Sequence, residues 1–284
     1  MRFLKKIFGS NKENLGAETP SISMQEFRER VIVRLKDVNP DIISTRDENS
    51  EEMLHVSLGD ELEGKCDLTN NYKSVVLLAE NLDECIDRMV DGVVVGLGQH
   101  KTAKAENLRL LLRTSNYLHH SDTERVDKIA EPFCGELHKI CMVDLPTTLR
   151  GLNKEDFETL GTNNNSLLDI AKENTRQLLP KTFHDDSLGF AILFSIEDHA
   201  HLAPSLILFD EFWEQADKIF PDGCLIAIPR RDQLFLLNKA DPNAISNVKQ
   251  LIHVTFEDDF NLLTAEIYVR EKGVISLLNA NQLN

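Results

Sequence analysis

Leu225-Ile226-Ala227-Ile228-Pro229-Arg230-Arg231-Asp232-Gln233-Leu234-Phe235-Leu236-Leu237 decides the fold class. Two apolar runs of strand length flank a short polar turn. Pro229 presets the backbone entering that turn, and Asp232 can cap it from within. A connection this short cannot hold the crossover that parallel strands need, so the two strands must pair antiparallel. The same reading extends outward. Strands fit 190–196, 205–209, 265–269 and 274–278, with connections mostly too short for parallel crossovers. Helices fit 211–220, carrying the single tryptophan Trp213, and 243–256 after Asp241-Pro242. The sequence therefore predicts an α+β protein of mainly antiparallel sheets with packed helices.

Toward the N-terminus, Ser23 and Glu26 form a capping-box pattern. Met24, Phe27, Val31, Leu35 and Val38 then recur at helical spacing until Asn39-Pro40, which predicts a helix over 23–37. Strands are expected at 53–58, 64–69 and 72–78, with Asn70-Asn71 as a tight turn, followed by a helix over 81–95. The run 108–113 reads equally as strand or helix. His138 to Leu145 reads as a buried strand, and helices are expected from near Asn153 and over 166–179, the second stopped by Pro180. Residues 1–21 read as a tail and linker, 22–125 as an N-terminal α+β subdomain and 126–284 as a C-terminal one, closely associated with it.

The chain's 284 residues suffice for a large core, and 42% hydrophobic with 27% charged residues is globular usage. Lys plus Arg number 31 against 47 Asp plus Glu, a net charge of −16, which repels phosphate backbones and argues against nucleic-acid binding. Five cysteines without a Cys-x-x-Cys pair read as reduced thiols in a cytoplasm. No stretch approaches the roughly 20 apolar residues of a membrane span. The N-terminal Met1-Arg2-Phe3-Leu4-Lys5-Lys6-Ile7-Phe8 is not a signal peptide. It reads as a frayed tail or as a peripheral toehold worth about 1 kcal/mol per cation on anionic lipid.

The order of segments in the C-terminal half carries a family likeness. Leu137 to Asp144 is a strand ending in aspartate, followed by Leu152-Asn153-Lys154-Glu155-Asp156 and Leu160-Gly161. Then come Ile170 to Asn174, Ser205 to Leu208 leading into Phe212-Trp213, and Ala227 to Asp232. Taken together these resemble the bacterial family called domain of unknown function 1444. The resemblance implies a cytoplasmic bacterial protein of this length and no particular activity.

Five residues stand out as candidate ligand-binding groups. Arg230 and Arg231 present two guanidinium forks suited to a carboxylate or phosphate, with Asp232 orienting one of them; a plain hairpin turn is the alternative. Asp144, at a strand end, suits general-base work or ligation, or caps the following loop. Asn174, a poor helix former within a helix, lines a pocket or bonds a neighbouring loop. Glu197-Asp198-His199-Ala200-His201 and Cys134, His138 and Cys141 have metal-ligating atom types, but no metal site is expected of either. In a strand, His138 and Cys141 point to opposite faces. Gly92 to Gly98 lacks the Walker lysine and is read as terminating a helix. No cofactor is expected. With no complete catalytic set, the leading expectation is a non-enzymatic module that binds a basic protein partner, as an adaptor or immunity protein would. The alternative is an enzyme or small-anion binder using Asp144, Asn174, Arg230, Arg231 and Asp232.

Overall fold

The computed structural model describes residues 22–278 apart from 48–49, 60–61, 79, 98–102, 120–128, 146–147, 153, 162, 180–183, 188, 197–198 and 258–260. The N-terminal tail and linker, Gly98, His120, Pro146, Asn153, Pro180 and the pair Glu197-Asp198 lie outside the described residues. The chain divides into two compact units, residues 1–101 with 146–148 and residues 102–145 with 149–284. The division therefore falls near residue 101, ahead of the boundary expected near 125.

In the first unit, helix α1 (Met24–Val38) starts where the capping box places it. The Ser23 side chain accepts the Glu26 N–H at 3.1 Å, and Phe27, Val31 and Leu35 face inward. Strands β1 (Ile42–Arg46), β2 (Met53–Leu58) and β3 (Leu62–Asp67) form an antiparallel sheet in that order. The expected strand at 72–78 is instead part of helix α2 (Thr69–Leu78). Asp67 Oδ1 takes the Thr69 N–H at 2.8 Å, and Leu68, Tyr72 and Val75 then recur at helical spacing, with Leu68 and Val75 fully buried. The β-branched pair Val75-Val76 imitates a strand locally, but the capped start and the buried stripe decide for the helix. Helix α3 (Leu82–Leu97) contributes Cys85, Ile86, Met89 and Val90 to the core, and it runs through Gly92 and Gly96, so neither glycine terminates it.

In the second unit, β4 (Leu108–Thr114), α4 (Ser115–His119), β5 (Ala130–Cys134), β6 (Leu137–Leu145) and β7 (Thr148–Gly151) come first. They give a four-stranded sheet ordered β4-β6-β5, with β7 also on β6. The ambiguous run at 108–113 is thus a strand. Helices α5 (Lys154–Leu160) and α6 (Asn164–Gln177) follow, then β8 (His184–Ser187) and β9 (Ala191–Ser195). A 3-10 helix spans Ala200–Leu208 where a strand was expected from Ser205. Burial of Leu202, Ala203, Pro204, Ser205, Leu206 and Ile207 explains the strand-like apolar run, and Pro204, which has no N–H to donate, suits a short helix better than a ladder. Helix α7 (Asp210–Ile219), β10 (Cys224–Ala227), β11 (Leu234–Asn238), α8 (Ala244–Glu257), β12 (Ile267–Glu271) and β13 (Val274–Leu277) complete the chain.

The second sheet has the order β13-β12-β10-β11-β9-β8, and its strands pair antiparallel. The β10–β11 hairpin places Ile226 opposite Leu236, as the two apolar runs require. Phe194, Phe212 and Trp213 meet edge to face at 5.0 Å beneath it. Gly223, at φ +95°, opens β10 because a Cβ there would meet the Arg270 carbonyl oxygen at 2.4 Å. The fold is α+β, with sheets of three, six and four strands among the described residues. Among the described residues no helix is long and apolar enough to cross a membrane. The five cysteines are free thiols, and burial pushes those of Cys66, Cys141 and Cys224 up to about 12, which makes them poor nucleophiles.

Candidate functional site

Once 108–114 is a strand, its period of two puts Arg109, Leu111 and Arg113 on one face and Leu108, Leu110 and Leu112 on the other. The antiparallel register pairs Arg109 with Met142, Leu111 with Ile140 and Arg113 with His138. Asp144, two residues beyond Met142 on β6, therefore shares the face of Arg109, and Arg109 Nε stands 3.3 Å from Asp144 Oδ2. Both side chains are largely withdrawn from solvent, at 14% and 17% exposure, so the pair is only partly screened.

The 3-10 helix that packs on β4 brings His201 to the same group. Its Nε2 is buried and has no hydrogen-bond partner among the described residues. Burial lowers the His201 pKa. Asp144 opposes that shift, whereas the positive charges of Arg113 and Arg109 and the neighbouring His199 reinforce it. The ring is therefore neutral at pH 7. His199 and His201 meet edge to face at 6.0 Å.

Arg113 is 5% exposed, and its Nη1 donates to the carbonyl of its own neighbour, Leu112, at 2.7 Å. Burial first and the charge of Arg231 second push its pKa down to about 10, against a smaller opposite effect of Tyr117. It remains a cation at neutral pH. Arg231 lies on the β10–β11 turn, which the 261–264 segment holds in place. Its N–H donates to the Asn261 carbonyl at 2.9 Å and Leu263 N–H to the Pro229 carbonyl at 2.9 Å. The Arg231 Nε is buried without a partner. Neither Arg113 nor Arg231 meets a carboxylate among the described residues. Arg230 differs: at 3% exposure it is held bidentately by Asp232, with Nε to Oδ1 and Nη2 to Oδ2 both at 3.2 Å.

The opposite face of the β4–β6 sheet borders a cleft of about 690 Å³, whose lining includes Leu110, Lys139, Lys172, Trp213, Arg270 and Val274. Its cations are partly spoken for. Lys139 pairs with Glu131, and Arg270 lies 4.1 Å from the Trp213 ring centroid while bound through Nε and Nη2 to Asp217. Protein-family models, curated proteins and solved structures yield no match to this chain.

Of the five residues singled out by sequence, four belong to this neighbourhood. The charge of Asp144 acts on His201 and that of Arg231 on Arg113, and Arg230 and Asp232 adjoin Arg231 in the turn. Asn174 does other work: its amide donates to the carbonyls of Ala105 at 2.6 Å and Leu108 at 3.2 Å, bonding a loop and an edge strand. Asp144 pairs with a strand arginine, Arg109. Cys134, His138 and Cys141 do not converge. Cys141 Sγ donates to Leu167 O at 3.7 Å, Cys134 Sγ to Ile275 O at 3.9 Å, and His138 Nδ1 contacts Glu136 O at 3.1 Å. Among the described residues no three metal-ligating side chains come together. Sequence reasoning passed over Arg109, Arg113 and Tyr117. The available signal was the alternation Arg109-x-x-x-Arg113, which becomes legible only once the run is known to be a strand.

Proposed function

We propose that the second unit binds a small anion between the guanidinium groups of Arg113 and Arg231. One observation carries the reading: two arginines with no acidic partner among the described residues lie near enough for the charge of Arg231 to act on Arg113, which is almost wholly buried, in a chain of net charge −16. Arg109 with Asp144 and Arg230 with Asp232 neutralise themselves, so the surplus rests on these two groups. Burying an uncompensated charge costs several kcal/mol, and an anion held by both forks offsets that cost. Thermal unfolding of the full chain at pH 7.5 tests it, in sodium phosphate against sodium chloride of equal ionic strength. The midpoint is expected to rise in phosphate for the wild type and not for Arg231→Gln; equal responses of the two proteins overturn the reading.

A second reading keeps the protein-binding role and rests on the first unit. The groove between α1 and α3, about 410 Å³, is edged by Glu26, Glu29, Asp37 and Asp83 against Arg30 and Arg34, so acids outnumber cations along it, and it exposes Val33 at 59%. That combination suits a basic segment with an apolar anchor. Val33→Asp is expected to abolish capture of such a partner by the full chain, and unchanged capture removes the reading. The cytoplasm remains the proposed compartment, on the strength of five free thiols. Membership of the domain of unknown function 1444 family is likewise a proposal, carried by the order of segments from Leu137 to Asp232.

A further inference from the structure

Resting on the second reading above, we infer that the groove between α1 and α3 takes residues 1–8 of this same chain, Met1-Arg2-Phe3-Leu4-Lys5-Lys6-Ile7-Phe8, so that a basic partner must displace the chain's own segment. The walls of the groove set the chemistry. Glu26 is held by Arg30 at 2.9 Å and Glu29 by Arg46, while Arg34 turns to Asp87 at 2.6 Å. Asp37 and Asp83, one from each helix, meet no cation among the described residues. Asp37 stands in the last turn of α1, where the negative end of the helix disfavours a carboxylate. Val33, largely exposed, and Ile86, buried, supply the apolar surface between them.

Residues 1–8 answer that chemistry. They hold Arg2, Lys5 and Lys6 beside Phe3, Leu4, Ile7 and Phe8, and no stretch of eight residues elsewhere in the chain joins three cations with no carboxylate. Lys5 and Lys6 match Asp37 and Asp83 in charge, and Leu4 or Ile7 beside them is the apolar anchor that covers Val33. Covalent reach permits the contact. Segment and groove belong to the same compact unit. Residues 9–21 span up to about 45 Å when extended. That is twice the roughly 22 Å of the 15-residue α1, along which the groove runs. Tethering makes the contact intramolecular, at an effective concentration on the order of millimolar, so a segment of modest intrinsic affinity fills the groove most of the time. The apparent affinity for an outside partner falls in proportion to the fraction of grooves left open.

A fluorescein-labelled peptide of residues 1–8, read by anisotropy against the full chain, separates this inference from the reading beneath it. Lys5→Gln/Lys6→Gln, which disables the tethered copy, is expected to bind the peptide about tenfold more tightly than the wild type. Adding Asp37→Asn/Asp83→Asn to that variant, with native circular dichroism confirmed, is expected to abolish the binding. Equal affinity of the wild type and Lys5→Gln/Lys6→Gln, with binding still lost on the groove substitutions, overturns the tethered occupant and leaves the groove reading standing. If Lys5→Gln/Lys6→Gln then weakens only sedimentation with phosphatidylserine vesicles, the segment serves a lipid surface instead. A difference that disappears as the protein is diluted puts the segment in the groove of a second copy and sinks the inference. No binding by Lys5→Gln/Lys6→Gln, or binding that the groove substitutions leave intact, overturns both inference and reading.

Discussion

Taking a guanidinium out of water costs several kcal/mol unless an anion faces it, and the charge nearest in effect to Arg113 is another cation. The apo protein therefore carries an unfavourable contact at this residue. Arg113→Met is expected to stabilise the ligand-free chain by about 1 kcal/mol or more in urea unfolding at pH 7.5, while removing any stabilisation by phosphate. His201 is strained in the opposite protonation sense. Its folded-state pKa lies below the unfolded value of about 6.5, so the fold prefers the neutral ring. The stability that depends on it is complete above about pH 6.5 and is lost as the pH falls below that toward the folded-state value. Urea midpoints between pH 7.5 and 5.5 are expected to fall for the wild type and to fall less for His201→Gln; parallel curves would show that another group sets the slope.

At the scale of elements, α6 guards the free edge of β4. The Thr175 hydroxyl accepts the Leu110 N–H at 2.8 Å and donates to Ala171 O at 2.7 Å, and Asn174 covers the carbonyls of Ala105 and Leu108. These bonds satisfy backbone groups that an edge strand would otherwise leave open. Thr175→Val is expected to cost about 1–3 kcal/mol and to speed hydrogen exchange at the Leu110 amide ahead of its neighbours. Local signals made α1, α3, β6 and the β10–β11 hairpin readable, because caps, periodicity and turn residues agree there. They misled at Tyr72–Leu78 and Ser205–Leu208, where short runs buried on several sides look strand-like whichever way the backbone turns. The candidate site divided along the same line. Arg230, Arg231 and Asp232 announce themselves through Pro229 and the turn. Arg113 joins the candidate site only because Arg231, more than a hundred residues later in the chain, comes near enough for its charge to act there, and no local pattern encodes that approach.

At the scale of the molecule, each unit has its own apolar centre: Phe27, Val31, Leu35, Leu54 and Val75 in the first, Leu206, Phe212, Ile226, Leu236 and Tyr268 in the second. Arg113 and Arg231 both lie in the second unit, so an anion held by them, as proposed above, would stabilise that unit directly. The ordering Trp213 under Arg270 gives this a practical side. The chain has one tryptophan, buried in the second unit with its indole N–H bonded to Ile207 O at 3.0 Å. Its emission is thus a private signal of the unit that holds the arginines, silent about the first, whereas far-ultraviolet dichroism hears both. Phosphate is expected to delay the red shift of that emission during heating, and a delay equal to that in chloride would show that the anion is not felt there. The protein carries its own lamp, placed in the half where there is something to see.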